Sequence, residues 1–364
     1  MTKKKIAICG GGIIGCATAY YLSLLDKEKT LDISLIERES VACHSSGKAG
    51  GFLALDWNDH SPVGELARFS YSLHKELSTT LGKDIGYRCL DTFSVSVKTN
   101  TTSDKNGNKG KDHWVGNGRK DRIGSVSSTA QVHPYILTKA LLAASEGVNF
   151  IKGTVKAIEK NSENKLIKII LEDGKTLEPD VTILALGAWT STLKNFFDLC
   201  KPVFDVSGSK VHSIVVEAPN TPPEAIFAYL VNKQGQSKEP ELYPRPDGTV
   251  YICGEGDKTP LPDNPTDITP SNQACQNLYD MSGKICSSLE DSKLLTKQAC
   301  YIPSSPDGIP IIGEVPYYPR TFIASGHGVW GILNGPATGK CLAQLVLGLT
   351  SDINLQPFSP NRLL

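Results

Sequence analysis

Residues 8–16 read Ile-Cys-Gly-Gly-Gly-Ile-Ile-Gly-Cys and place Gly10, Gly12 and Gly15 in a GxGxxG spacing. Residues 5–9 form a short apolar strand, 13–25 carry a helical pattern and 31–37 alternate as a second strand. A strand, a glycine turn, a helix and a strand in that order make the opening βαβ unit of a Rossmann-like dinucleotide-binding domain. Gly10 permits the tight turn, Gly12 lets the backbone approach a pyrophosphate, and Gly15 lets the helix pack closely. Ile13 and Ile14 open the helix, whose first N–H groups and positive dipole end suit an anion. Glu37 closes the second strand, where an acid accepts hydrogen bonds from an adenosine ribose, and Arg38 follows it. An acid there disfavours a 2′-phosphate, so NADP is the dinucleotide least suited.

Further along, residues 181–186 form a nearly continuous apolar run, which suits a strand buried on both faces of a parallel sheet. Ser61-Pro62 opens a helix with Leu66, Phe69, Leu73 and Leu77 on one face. His133-Pro134 opens another with Leu137, Ala140, Leu141 and Ala144. A hairpin is expected around Asp173-Gly174. Residues 98–122 are polar and glycine-rich, with Trp114 and Val115 as their apolar content, and read as a mobile surface loop. Residues 201–296 are β-rich with Pro-rich connections. The expected architecture is α/β: a discontinuous dinucleotide domain from residues 1–60, 130–200 and 297–364, with a mixed, β-rich substrate domain from 61–129 and 201–296.

Composition narrows the class. The chain has 364 residues, 40% hydrophobic, with 38 Lys+Arg against 38 Asp+Glu. That balance argues against a nucleic-acid binder, which needs an excess basic field. No apolar run reaches the roughly 18 residues of a transmembrane segment. No secretory signal precedes the glycine turn and no Ser-Lys-Leu ends the chain, so the expectation is cytoplasmic. Ten scattered cysteines without a CxxC pair read as reduced thiols, and no metal site is expected.

The fingerprint serves NAD and FAD alike, and four further segments separate them: CHSSGKAGGFLALDW at 43–57, LALGAWTS at 184–191, PDGIPIIG at 306–313 and IASGHGVWGILNGPATG at 323–339. With the glycine turn, this set resembles the FAD-dependent oxidoreductase family of D-amino-acid oxidase, glycine oxidase and sarcosine oxidase. An NAD-dependent dehydrogenase would leave the GAW and GHG segments unexplained. The resemblance implies FAD as cofactor, with Gly10, Gly12, Gly15 and Glu37 on its ADP half. Ser45, Ser46, Gly47 and Lys48 would lie along the diphosphate and flavin, and Val155 by the adenine. Gly187, Ala188 and Trp189 would close over the dinucleotide, and Gly326, His327, Gly328, Gly331 and Ile332 would approach the pyrimidine edge of the flavin. His327 reads equally well as a core histidine. QACYIPSSPDG at 298–308 is similar to the sarcosine oxidase stretch that carries a covalent flavin, which makes Cys300 either that link or a buried free thiol.

Two cations that the family uses to clamp a substrate carboxylate have other residues in their places, Ile302 and Trp330. Lys48 and Arg245 remain as anion-binding candidates, while Tyr243, Tyr251 and Trp330 suit an apolar substrate pocket. Lys48, His327 and Trp330 are therefore the candidates for the catalytic compartment. The implied activity is oxidation of a C–N bond in a small amine or amino acid by hydride transfer to flavin. The resemblance is greatest to a fungal branch linked to endosome-to-Golgi transport. With Ile302 and Trp330 in place of the cations, this leaves an alternative, a flavin-retaining interaction protein without turnover, for which the resemblance implies a protein partner in membrane traffic and a peripheral endosomal association.

Overall fold

Alternation along the strand Lys4–Cys9 sets the layering: Ile6 and Ile8 enter one core, Ala7 and Cys9 the other. A computed structural model describes residues 2–98, 114–115, 119–198, 202–231 and 235–364. In it this strand is internal to a six-stranded sheet ordered Ile311–Glu314, Thr321–Ser325, Val181–Leu184, Lys4–Cys9, Leu31–Glu37 and Val148–Lys152. All pairings are parallel except that of the edge strand Ile311–Glu314. Helices Ile13–Leu25, Pro134–Ala143 and Gly331–Leu347 contribute to the core on one face. The expected hairpin, Leu166–Leu171 with Thr176–Leu177, contributes Leu166, Ile169 and Leu171 to the core on the other.

Helix Gly331–Leu347 contains Pro336, which lacks the N–H that the Ile332 carbonyl would otherwise receive. The helix Gly64–Thr80 compensates. His74 Nε2 lies 3.0 Å from the Ile332 carbonyl and 3.1 Å from that of Leu333, and Ser70 Oγ accepts the Ala337 N–H at 3.0 Å. The same helix buries Leu66, Leu73 and Leu77 in the first core. It thus packs in the core of the six-stranded sheet, across the division expected at residue 61.

A second sheet is ordered Leu294–Ser304, Ser207–Glu217, Thr249–Asp257, Glu241–Pro244, Glu224–Val231, Asp91–Lys98 and Arg119–Gly124, with Ser237–Lys238 paired to Glu224–Val231. Helix Asn272–Ile285 covers one face through Cys275, Leu278 and Ile285. The other face presents Val215, Tyr243 and Tyr251 toward Phe52 and Ala54. Strand Leu294–Ser304 runs unbroken in this sheet, so the expected boundary at 297 falls inside a strand. Of the expected loop, residues 99–113 and 116–118 lie outside the described residues. Its end is ordered as the strand Arg119–Gly124, and Trp114 Nε1 donates to Glu224 at 3.1 Å. Among the described residues no helix is long and apolar enough to cross a membrane.

Two stability predictions follow from the burial of His74 and its like. His74→Leu leaves carbonyls of the Pro336 helix unpaired and is expected to cost about 3 kcal/mol, seen as a lower melting temperature; a wild-type melt would overturn the repair role. Burial pushes His44 down to about 3, and His74, His133 and His327 down to about 4. The unfolded chain takes those protons near pH 6.5, so this stability is complete above that pH and is lost as pH falls toward 4, at about 1.4 kcal/mol per unit for each fully excluded proton. Melting temperature should fall steeply between pH 7 and 5; a flat profile would show that these rings are protonated in the fold.

Candidate active site

Where strand Lys4–Cys9 ends, Gly10 takes φ +116°, and a Cβ there would fall on the Ala185 carbonyl oxygen. Gly15 packs its missing side chain against the Gly10 carbonyl in the same way. These contacts seat the start of helix Ile13–Leu25 beside the strand ends. Ser46 Oγ accepts the Ile13 N–H at 2.9 Å. Glu37 accepts the Gly11 N–H at 2.7 Å on one oxygen and the Glu39 N–H at 3.0 Å on the other. The glycine turn, the acid and the Ser45–Lys48 helical turn are thereby joined into one wall of a cavity of about 500 Å3.

Gly12, Ile14, Arg38 and Val155 face the same end of this cavity, as do Gly187, Ala188 and Trp189. A segment that follows strand Thr249–Asp257 folds over it. Trp189 Nε1 donates to the Pro262 carbonyl at 2.9 Å, and Arg38 donates to the Asp263 carbonyl with its guanidinium 6.0 Å from the Trp189 ring centroid. Sequence reasoning missed this cover, because residues 262–263 carry no recognisable pattern of their own.

Toward the other end the wall is formed by Gly326, His327, Gly328, Trp330, Gly331 and Ile332 at the start of helix Gly331–Leu347. His327 is 6% exposed, with Nε2 3.0 Å from Thr338 Oγ1, and is neutral at pH 7 because burial lowers it to about 4. Cys300 and Ile302 reach the wall from strand Leu294–Ser304. Burial pushes the Cys300 thiol up to about 11, against the pull of the nearby Lys48 charge.

Beyond them the cavity ends among aromatic rings. Phe52 stacks on Tyr243 at 5.6 Å, Trp57 lies 5.1 Å from Phe227 and 6.3 Å from Trp330, and Tyr243 stacks on Tyr251 at 6.1 Å. Glu241 stands among them, accepting from the Tyr243 hydroxyl at 2.5 Å and from the Cys253 thiol at 3.5 Å. Burial raises its carboxyl above the usual carboxylate range, although these two hydrogen bonds oppose the shift. Phe52, Trp57, Phe227, Glu241 and Cys253 were not singled out from the sequence. A signal existed for the last two: Glu241 and Tyr243 alternate with Leu242, and Tyr251 and Cys253 alternate with Ile252, placing each pair on one face of its strand.

Of the expected site residues, Gly15, Gly47, Lys48 and Arg245 lie off the wall. Lys48 donates its Nζ to the Ala299 carbonyl at 3.0 Å, and its own carbonyl accepts from Tyr251 Oη and Gln298 Nε2, each at 3.0 Å. It ties the helical turn to the second sheet and is not part of the cavity wall. Gly47 packs against the Ala42 carbonyl and Tyr135. Arg245 is 9% exposed. It lies 5.2 Å from the Tyr251 ring centroid, outside the wall, with Nη2 3.4 Å from the Ala49 carbonyl.

Comparison with known proteins gives the family and the fold of the chain. The model of the DAO family, described as FAD dependent oxidoreductase, covers residues 5–345. A Schizosaccharomyces pombe protein that bears an oxidoreductase name, C1F5.03c, is 32% identical over an aligned length of 386 residues, spanning 98% of each chain. Glycine oxidase from Pseudomonas aeruginosa is 23% identical, again over 98% of both. The crystal structure of glycine oxidase from Geobacillus kaustophilus shares the fold, with a TM-score of 0.80 at 24% identity over the whole of both chains. The chain belongs to the DAO family of FAD-dependent oxidoreductases.

Proposed function

We propose that this protein oxidises a carbon–nitrogen bond of a small amine or amino acid, with FAD as the two-electron acceptor. The observation that carries the reading is one continuous cavity that joins a dinucleotide cradle to an aromatic compartment. The glycine oxidase names among its relatives support the same class. A flavin-retaining interaction protein without turnover has no use for that compartment.

The residues present fit FAD. The backbone at Gly12 is extended, and a Cβ built on it would meet Ser46 Oγ at 3.1 Å and otherwise enter the cavity. The cradle is thus kept open by a missing side chain and not by backbone strain. The start of helix Ile13–Leu25 would hold the diphosphate there, with Ile14 among the first-turn N–H donors that a helix cannot satisfy itself. Glu37 keeps lone pairs for a ribose, since each oxygen accepts a single backbone hydrogen. Gly187 and Gly328 also line the cavity, and a Cβ at either would meet nothing within 4 Å. Trp189, Arg38 and the Pro262 segment would cover the adenosine end.

When FAD is bound, the chemistry it supplies is acceptance of a hydride from the carbon beside nitrogen. The chain's own part is placement and desolvation. The N-terminus of helix Gly331–Leu347 directs its dipole toward the part of the cavity where negative charge would develop. Phe52, Trp57, Phe227 and Trp330 line the substrate end with apolar surface and limit its access to water. His327 and Cys300, both uncharged at neutral pH, border that space without competing for a proton.

Gly12→Val is expected to yield a folded but colourless protein, because the valine occupies the cradle while the local backbone tolerates it. Wild-type flavin content, measured by absorbance after purification, would sink the assignment of this turn. Under anaerobic conditions the visible flavin absorbance of the wild-type protein should bleach with at least one member of a panel of primary, secondary and N-methylated amines and amino acids. Retention of full colour across that panel would overturn C–N oxidation.

A further inference from the structure

The charges around the cavity are distributed unevenly. Among the described residues that line it, the ionisable carboxylates are Glu37 and Glu241, and Arg38 is the one Lys or Arg side chain. Glu37 and Arg38 both stand at the dinucleotide end, where their bonds to the glycine turn and to the Asp263 carbonyl are already formed. At the aromatic end Glu241 stands alone. Lys48 is committed to the Ala299 carbonyl, and Arg245 lies outside the wall beside Tyr251. Ile302 occupies the adjoining stretch of wall.

Both hydrogen bonds to the Glu241 carboxylate fall on Oε2, leaving Oε1 without a partner among the described residues. Phe52, Trp57, Phe227, Tyr243 and Trp330 surround the same space, with neighbouring ring centroids 5.0–6.3 Å apart. A desolvated carboxylate repels an anion, whereas aromatic faces and a carboxylate both attract an alkylammonium. Glu239, close by, adds to the negative potential.

Resting on the proposed amine oxidation, we infer that the aromatic compartment receives a cationic amine that lacks a carboxylate, with Glu241 as the specificity-determining residue. An α-amino acid would have to bury its carboxylate against Glu241 on a stretch of wall where, among the described residues, no Lys or Arg lines the cavity. A cationic alkylamine places its charge between Oε1 and the ring faces and its alkyl groups against Phe52 and Trp330, and it becomes the neutral amine needed for oxidation when Glu241 Oε1 accepts its proton. The substrate class is therefore an alkylamine or N-methylated amine, and glycine and its close relatives are excluded by charge.

The test uses the flavin-loaded protein and ligands that cannot themselves be oxidised here. Tetramethylammonium chloride and sodium benzoate are titrated separately at constant ionic strength, following the bound flavin's visible spectrum and the tryptophan fluorescence to which Trp57 and Trp330 contribute. The expected result is saturable perturbation by tetramethylammonium at concentrations at least tenfold below any effect of benzoate. Glu241→Gln, which keeps the shape of the side chain, should weaken the cation at least tenfold while FAD content stays at the wild-type level. Benzoate binding as tightly as the cation to wild-type protein overturns the inference without recourse to the variant. An FAD-loaded Glu241→Gln protein with unchanged cation affinity overturns it as well. Either of these results leaves amine oxidation standing, whereas a wild-type protein that holds no flavin removes that reading and this inference together.

Discussion

The site depends on two places where a side chain cannot exist. The Ala185 carbonyl lies where a Cβ of Gly10 would be, and the Gly10 carbonyl lies where a Cβ of Gly15 would be. Strand Val181–Leu184, the glycine turn and helix Ile13–Leu25 are stacked through those contacts. The Gly10 N–H, bonded to the Ile36 carbonyl at 2.8 Å, adds the end of strand Leu31–Glu37 to the stack. Because all three strands end at one level, the helix N-terminus and the Glu37 carboxylate face the same space. A larger residue at either position would push the helix off the strand ends and separate the donors that make a dinucleotide cradle.

The other end of the cavity is set by a second adjustment, in helix Gly331–Leu347. Gly335 and Gly339 let this helix pack onto Ile13 and Ala17 of the first helix, so that both N-termini open on one cavity. Pro336 near its start would leave carbonyls unpaired in a buried setting, and His74 and Ser70 supply the missing partners. Lys48 has a comparable task between the two sheets. Its ammonium and its carbonyl both bond to residues of the second sheet, so the helical turn that carries Ser45 and Ser46 is fixed to the strand that carries Cys300 and Ile302. A residue that looked like a catalytic cation is used instead to hold the walls at a constant separation.

What could be read from the sequence was local. The glycine turn, the apolar run at 181–186, the GAW and GHG segments and the hairpin near Asp173 each declare themselves within a short window, because turn chemistry and period are local properties. Residues whose meaning lies in distant partners were opaque. Nothing near Lys48 indicates Ala299, nothing near Arg38 indicates Asp263, and the apolar stripe of Gly64–Thr80 gives no hint of which core receives it. The break at 297 failed for the same reason, since the pairing of Leu294–Ser304 with Ser207–Glu217 is invisible in either strand alone. Glu241 is the instructive case. Alternation put it on the face shared with Tyr243, but whether that face met solvent, core or cavity depended on the strand order of a sheet assembled from segments as far apart as residues 91 and 304.

The two ends of the cavity follow opposite electrostatic logic. At the dinucleotide end, helix N–H groups offer positive potential to phosphates, and each oxygen of the acid present already accepts a backbone N–H. At the aromatic end the only backbone-independent charge on the wall among the described residues is a carboxylate that burial disfavours, held ionisable by a phenol and a thiol. Such a group is costly to keep in an apolar box without a counter-charge. A ligand that brings a positive charge lowers that cost, and one that brings a negative charge raises it. The fold common to this family therefore constrains the cofactor end tightly through backbone geometry. Choice of substrate is left to a few side chains on the second sheet, of which Glu241 is the one whose charge sets the sign.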